Sequence, residues 1–369
     1  MRLGLHWRRF ELALPTPLVT ARGRLSRKRG WLLRLERLDR GGGESGAGPD
    51  QGWGEAAPLP SGADQGGDGP ELVRIARAIA ALGSTIEGEE LESGLPGLPP
   101  ALAFALGAAL GEIQGLVGSA AGGWLPAPAP AWLLPAGPAL LGALERVLAG
   151  QERVWQSSPP APPGGLPLTL KWKVAASGDL QECQLLELLL KRLPGGARLR
   201  LDANGGWGRR TAAAWATRLA GDPRLEWLEQ PLAPADHAGL RALAAGPPAV
   251  PVALDESLTQ EPGLRQRWAG WQVRRPSQEG DPRPLLAQLR SGVPQLMLST
   301  GFETGIGRRW LDHLAALQVL GPTPTAPGLA PGWGAGAALA SSDPEQVWAA
   351  AAGRWAGPPE LPGMTPTPR

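Results

Sequence analysis

The sequence contains no tyrosine, only three phenylalanines and a single cysteine, Cys183, in 369 residues. One cysteine excludes an internal disulfide framework and any metal site built from several thiolates. The chain has no run of about 18 apolar residues, which excludes an ordinary membrane-spanning helix. Residues 1–10 carry arginines but no apolar central segment, so they do not read as a secretory signal. The three histidines, His6, His237 and His313, stand alone in surface-like contexts, and none is given a catalytic role. A net charge of +2, with no basic stripe, gives no sign of nucleic-acid binding. A soluble cytoplasmic protein is the expectation.

Lysine is also scarce: only Lys28, Lys171, Lys173 and Lys191 among 36 basic residues. Where positive charge alone is wanted, this chain uses arginine. Two of its four lysines nevertheless stand two residues apart. Glycine and proline (53 and 41 residues) are abundant enough to raise the question of disorder. A hydrophobic content of 43% and 16 tryptophans answer it, because such a chain can build a core.

Residues 1–100 alternate short apolar runs with Gly/Pro-rich loops. Trp31–Glu36 reads as a strand, and 41–69 as a long Gly/Asp/Pro segment interrupted by Gly52–Ala57. Residues 71–83 and 101–117 have helical periodicity. Leu125–Pro130 and Ser157–Pro167 read as connectors. A regular alternation follows. Strand-like pieces are Leu168–Val174, Arg198–Asp202, Leu225–Leu228, Val250–Leu254, Gly270–Arg275, Gln295–Ser299 and Leu320–Thr325. Helix-like stretches lie between them: Leu180–Leu193, Thr211–Leu219, Leu240–Ala245, Pro284–Arg290 and Gly307–Leu317. This spacing predicts a parallel sheet, and with Trp132–Pro135 as a first strand the total of eight suits a closed barrel. The last forty residues return to loops, with one Ala/Trp-rich helical patch.

Chemistry gathers at the strand ends. In Thr169-Leu170-Lys171-Trp172-Lys173-Val174, strand alternation puts Lys171 and Lys173 on one side and Leu170, Trp172 and Val174 on the other. The next three strands end in Asp202-Ala203-Asn204, Glu229-Gln230-Pro231 and Asp255-Glu256-Ser257. Asp202, Glu229 and Asp255 are 27 and 26 residues apart, about one strand–helix unit each. Strand-end acids often only cap the next helix. Three at matched spacing on one barrel rim would instead converge, and they cannot all stay ionised there without a cation. Such oxygen donors suit Mg2+ or Mn2+.

The series Lys-x-Lys, Asp-Ala-Asn, Glu-Gln-Pro and Asp-Glu-Ser resembles the enolase superfamily in its muconate-cycloisomerase-like branch. Gly52-Trp53-Gly54-Glu55-Ala56-Ala57-Pro58-Leu59-Pro60 and Ser299-Thr300-Gly301-Phe302-Glu303-Thr304-Gly305-Ile306-Gly307 resemble the o-succinylbenzoate synthase family within that branch. The resemblance runs from about residue 12 to about 335. It implies an α/β fold: a (β/α)7β barrel of the TIM type, with an α+β capping domain built from the N-terminal region and the C-terminal tail. The corresponding boundaries are 1–125 for the cap, 126–330 for the barrel, and 331–369 for a segment packing back on the cap.

For function, the resemblance implies a metal-dependent lyase that removes water from 2-succinyl-6-hydroxy-2,4-cyclohexadiene-1-carboxylate on the route to menaquinone or phylloquinone. It implies Asp202, Glu229 and Asp255 as Mg2+ or Mn2+ ligands and Lys173 as the base, with Lys171 lowering its pKa. Arginine could not serve as that base, since it does not deprotonate in proteins. The family places a lysine before proline on strand six, where this chain has Arg275-Pro276. In the synthase that group acts as a cation facing the substrate ring, a role a guanidinium can fill. Racemases and epimerases of the branch need a second base there, and arginine would serve poorly. Ser299, Thr300 and Gly301 are expected to offer donors to the succinyl carboxylate, and Asn204 and Gln230 to orient the metal ligands. Arg8-Arg9 and Arg27-Lys28-Arg29 read as solvated faces, and Cys183 as a helix residue more buried than reactive. The expected partner is a small-molecule substrate, without nucleic acid or membrane, for a monomer or homo-oligomer. An N-acylamino-acid racemase or dipeptide epimerase and a non-catalytic scaffold remain the alternatives.

Overall fold

The computed structural model describes residues 1–20, 23–39, 49–59, 69–157, 165–332 and 336–351. Most of the 41–69 segment, the centre of the Ser157–Pro167 connector and the chain after 351 therefore lie outside the described residues.

The N-terminal layer is an antiparallel sheet of β1 (Arg2–Thr20), β2 (Gly23–Arg37), β3 (Gln51–Ala56) and a short β4 after helix α1 (Pro70–Leu82), at Thr85–Glu87, in the order β3-β2-β1-β4. Helices α2 (Gly88–Gly94) and α3 (Pro100–Ile113) follow. Alternation along β1 and β2 sends Leu3, Leu5, Trp7, Leu33 and Leu35 to one face, where α1 and α3 cover them. Phe10, Leu12 and Leu32 face the other way and meet Val347 and Trp348 of the C-terminal helix. Helix α3 is apolar almost all round, and residues 101–113 are all buried. Such a helix needs cover on every side. Here the sheet lies on one side, and Leu285, Leu286 and Trp310 of the barrel on the other.

The second layer is a curled parallel sheet of seven strands: β5 (Trp132–Leu134), β6 (Thr169–Lys173), β7 (Arg198–Asp202), β8 (Leu225–Glu229), β9 (Val252–Leu254), β10 (Trp271–Arg274) and β11 (Leu296–Leu298). Between them run α4 (Ala139–Ser157), α5 (Asp179–Arg192), α6 (Arg209–Leu219), α7 (His237–Ala245), the short α8 (Glu256–Gln260) and α9 (Leu264–Arg267), and α10 (Arg283–Arg290). Helices α11 (Gly305–Val319) and α12 (Pro344–Ala351) complete the described chain. The sequence pattern located every described barrel helix except α4 and the short α8 and α9. Leu170, Trp172, Val174, Leu199 and Leu201 point outward against Leu185, Leu186, Leu189 and Trp215 of the surrounding helices. The inner floor is Trp227, Ala253, Val273 and Met297.

The expected eighth strand, Leu320–Thr325, is not a strand. Pro322, Pro324 and Pro327 have no N–H to give to a ladder. Pro327 and Gly328 complete the ring instead: Ala131 N–H donates to Pro327 O at 2.9 Å, Gly328 N–H to Leu298 O at 2.8 Å, and Thr300 N–H to Gly328 O at 2.9 Å. Arg200 ties the same segment down from inside. Its guanidinium donates to Thr325 Oγ1 and Ala326 O, both at 2.7 Å, and to Glu226 at 2.7 Å, and lies 4.1 Å from the Trp227 ring centre. A buried arginine thus supplies the fastening that missing ladder bonds cannot.

The cap rests on its helix through glycine. A Cβ on Gly54 would stand 1.9 Å from Ala105 O and 2.7 Å from Ala105 Cα, both backbone atoms of α3. Gly54→Ala should therefore destabilise the protein by about 3 kcal/mol, the upper range for overpacking. A denaturant midpoint within error of the parent would show that α3 moves away without cost.

Candidate active site

The parallel register assembles the rim. Lys173 pairs with Asp202, Asp202 with Glu229, and Glu229 with Ala253, so Asp255 stands two residues beyond on the same face. Arg274 pairs with Leu298, which puts Arg275 beside Ser299. All the residues expected at strand ends thus share one end of the barrel. Lys171 sits one layer below Lys173, level with Arg200.

Lys171 Nζ lies between two carboxylates, 2.8 Å from Asp202 Oδ2 and 2.5 Å from Glu229 Oε1. Burial works against its charge, but Asp202, Glu229 and Asp255 outweigh burial and hold its pKa above the ordinary lysine value. Burial pushes Asp202 upward, yet Lys171 and Lys173 bring it below the usual carboxylate range. Glu229 is pushed up by burial and by Asp202 and Asp255, despite Lys171. Its other oxygen accepts from the Trp227 indole at 3.3 Å, so the barrel floor helps to aim it.

Arg275 holds the third acid. Nε and Nη2 donate to Asp255 Oδ1 and Oδ2 at 3.1 and 2.5 Å, while Nη1 donates to Ser299 Oγ at 3.0 Å and Thr300 O at 2.9 Å. These contacts lie in the guanidinium plane and leave its faces as the surfaces a ring could meet.

Local structure explains the aim of each group. Lys173 Nζ donates to Asn204 Oδ1 at 2.9 Å. Asn204 adopts a left-handed φ of 45°, which asparagine tolerates, and its amide reaches Glu256 Oε1 at 3.0 Å. The loop after Lys173 is gathered by the buried carboxylate of Glu182, which accepts from the N–H groups of Ala175, Ala176 and Ser177 at 2.8–2.9 Å. Gln230 Oε1 accepts from the N–H of Asp255 and of Ser257, both at 3.1 Å. It therefore fixes the backbone that carries Asp255.

Sequence reasoning missed three participants. Glu256 lies beside Asp255, and burial together with Asp255 and Asp202 pushes it up to about 7. Its Oε2 is buried without a hydrogen-bond partner. Adjacency to Asp255 was the available signal. The others are Lys28 and Glu303. Lys28, expected on a solvated face, is buried and paired with Glu55 at 3.1 Å. His313, expected near the surface, is also buried: its Nδ1 accepts from Leu125 N–H at 3.2 Å, and Trp124 packs edge-on. Both corrections have one cause: each residue lies where two layers meet, which local sequence does not reveal. Thr300 and Gly301 are also engaged differently from expectation. The Thr300 hydroxyl and the Gly301 N–H donate to Glu303 at 2.6 and 2.7 Å, so these donors are already used within the protein.

As the side chains stand, no three His, Cys, Asp or Glu groups among the described residues form a metal-holding set. The ammonium of Lys171 and the guanidinium of Arg275 occupy the acids. The donor set nonetheless fits a hard divalent cation. Three buried carboxylates, Asp202, Glu229 and Asp255, and the half-buried Glu256 face three cationic side chains, and one Glu256 oxygen is left unpartnered. Oxygen-only donors of this kind suit Mg2+ or Mn2+.

The family described as enolase C-terminal domain-like matches residues 168–269, the strands that carry these acids. A solved o-succinylbenzoate synthase from Thermosynechococcus elongatus BP-1, complexed with Mg in its active site, superposes with a TM-score of 0.71 at 30% identity, covering 94% of this chain and 99% of that one. A dipeptide epimerase from Enterococcus faecalis shares the fold at 20% identity and a TM-score of 0.63, covering 89% and 90%. The fold and rim are those of an enolase-superfamily enzyme. In sequence, the o-succinylbenzoate synthase of Thermosynechococcus vestitus is 34% identical over 84% of this chain and 87% of its own length, and that of Yersinia enterocolitica is 27% identical over 83% and 84%. The chain belongs to the o-succinylbenzoate synthase family, and is a lyase.

The electrostatic arrangement has a direct consequence. Lys171→Met leaves Asp202 and Glu229 buried against each other, and should cost the chelator-treated protein about 3–5 kcal/mol. Saturating Mg2+ should then raise the melting temperature of the variant more than that of the parent. Equal stability of both proteins in chelator would mean that Lys171 does not balance the acids.

Proposed function

We propose that this chain converts 2-succinyl-6-hydroxy-2,4-cyclohexadiene-1-carboxylate to 2-succinylbenzoate, with Lys173 as the proton-transferring residue. The observation that carries the reading is the register placing Lys173, Asp202 and Glu229 side by side at one barrel end. A Mg2+ or Mn2+ ion held by Asp202, Glu229 and Asp255 supplies, when bound, positive charge toward the substrate carboxylate, without which the neighbouring proton is too weakly acidic for an amine. Lys173 Nζ, aimed by Asn204, takes the proton alpha to that carboxylate. The same ammonium then gives its proton to the departing hydroxyl on the same face. One C–H and one C–O bond break, water leaves, and the ring becomes aromatic.

Lys171 keeps a fixed positive charge beneath Lys173. Arg275 lies across the barrel, three strands separating its strand from that of Lys173. Its in-plane bonds to Asp255, Ser299 and Thr300 O hold a guanidinium face for the substrate ring. The succinyl arm lies along Ser299, Thr300 and Gly301, where the Ser299 hydroxyl accepts from Arg275 and keeps a proton of its own to donate. Residues 1–125 act as the cap, 126–330 as the catalytic barrel and 331–369 as the returning segment. Among the described residues no helix is long and apolar enough to cross a membrane. The reading takes the enzyme as cytoplasmic, on the route to menaquinone or phylloquinone, as a monomer or homo-oligomer acting on a small molecule without nucleic acid or membrane.

Lys173→Arg keeps the charge but removes the neutral base, so turnover should fall by about 10³-fold or more while circular dichroism is preserved. Near-parental turnover would assign proton transfer to another group. Arg275 separates dehydration from racemisation. With arginine in place of a second base, proton exchange from deuterated water into N-succinylamino acids should be confined to one enantiomer. Efficient exchange into both enantiomers by the unmodified chain would favour an epimerase.

A further inference from the structure

The rim segment after β11 is held by a buried cluster that crosses from the cap to the barrel. Glu303 Oε1 accepts from Gly301 N–H at 2.7 Å and from Ser277 Oγ at 2.6 Å, and Oε2 accepts from Thr300 Oγ1 at 2.6 Å. One carboxylate thus ties the turn after β10 to the segment that reaches the substrate. Between them Phe302 is forced to a φ of 63°, a strained value for a bulky residue, and its N–H is caught by Thr300 Oγ1 at 2.8 Å.

The cap supplies the opposing half. Glu55 of β3 accepts from Thr304 N–H and Thr304 Oγ1 at 2.7 and 2.6 Å, and from Lys28 Nζ of β2 at 3.1 Å. The charge of Lys28 acts on both carboxylates: it opposes the upward push of burial on Glu55 and helps to bring Glu303 below its ordinary value. Lys28, Glu55, Glu303 and Thr304 are each 5% exposed or less. Close approach depends on Gly307, where a Cβ would stand 2.8 Å from Glu55 Oε2 and 3.0 Å from Glu303 Cβ. A chain that otherwise favours arginine retains lysine here. The compact ammonium can stand against a carboxylate in a space where a guanidinium would need partners for five N–H groups.

We propose that Glu303 is a positioning residue for the Ser299–Gly301 rim, and that Lys28 and Glu55 make its geometry depend on docking of the cap. The inference rests on the reading above that this rim meets the succinyl arm. It adds that substrate capture and cap docking are one event: a cap that lifts removes Lys28 and Glu55, and Phe302 and Gly301 lose their fixed conformation.

The test uses the full-length protein with saturating Mg2+ and compares three forms: Glu303→Gln, Glu303→Asp, and a charge-balanced double variant carrying Lys28→Met and Glu55→Gln. Steady-state kinetics are paired with amide hydrogen exchange at residues 300–302. Glu303→Gln and the double variant should raise KM at least about tenfold with a smaller loss in kcat, and Glu303→Asp should recover part of it. The Gly301 and Phe302 amides should exchange at least about tenfold faster in both. The decisive arm is the double variant, whose changes lie only in the cap. Unchanged KM and unchanged exchange at 300–302 in a folded double variant would overturn the coupling. An unchanged Gly301 exchange rate in Glu303→Asp and Glu303→Gln would overturn the positioning role itself. Exchange reads the coupling without turnover, so its failure is distinguishable from failure of the assigned reaction.

Discussion

Like charges crowded at the mouth of the barrel set the terms for the rest of the molecule. Asp202, Glu229 and Asp255 are buried on neighbouring strand ends, where water screens them little, and the half-buried Glu256 stands beside them. Isolated carboxylates in such a place would take up protons. Here Lys171 bridges Asp202 and Glu229, and Arg275 clamps Asp255 with two parallel bonds. Below them, Trp227 touches Glu229, and Arg200 locks the floor. The barrel therefore keeps its polar groups in layers, with Arg200 and Lys171 underneath and Lys173 and the acids above. Divalent-metal chemistry suits this arrangement, because one hard cation can answer several carboxylates at once.

Much of this was legible in the sequence, for identifiable reasons. Strand alternation around Lys171 and Lys173 is a period-two signal, and the structure buries Leu170, Trp172 and Val174 on the opposite side as that signal requires. The acids could be found because each ends a strand in a repeating unit, so chain spacing maps directly onto barrel position. The scarcity of lysine marked the Lys-x-Lys pair without any structural knowledge. The same scarcity could have marked Lys28. Its arginine neighbours made the stretch look like a solvated face, and only the packing of cap on barrel shows otherwise. Glu256 was hidden by its neighbour Asp255, since a run of two acids does not say which faces inward.

The misread eighth strand has a similar lesson. Leu320–Thr325 offers the β-branched Thr323 and Thr325, but Gly321, Pro322 and Pro324 interrupt it, and the prolines cannot donate ladder bonds. Closure comes from two backbone positions, Pro327 and Gly328, and from Arg200 reaching across the interior. That contact joins residues 125 or more positions apart, beyond any local pattern. Helix α4, by contrast, was legible although not predicted: Leu140, Leu144, Val147 and Leu148 recur at helical spacing and pack on the barrel core. Cap and barrel meet through α3, through the Lys28–Glu55–Thr304 contacts and through Gln278, which donates to Ala57 O and accepts from Leu59 N–H. The rim after β11 is thus built jointly by both layers.

The proposed chemistry requires Asp202, Glu229 and Asp255 to share one ion while Lys171 yields its place between two of them. A crystal structure of the protein grown with Mg2+ tests this directly. The expected result is one oxygen each from Asp202, Glu229 and Asp255 at about 2.1 Å from a single ion, with the Lys171 ammonium withdrawn from the Asp202–Glu229 gap. An ion bound away from these three residues, or Lys171 still bridging Asp202 and Glu229 at saturating Mg2+, would contradict it.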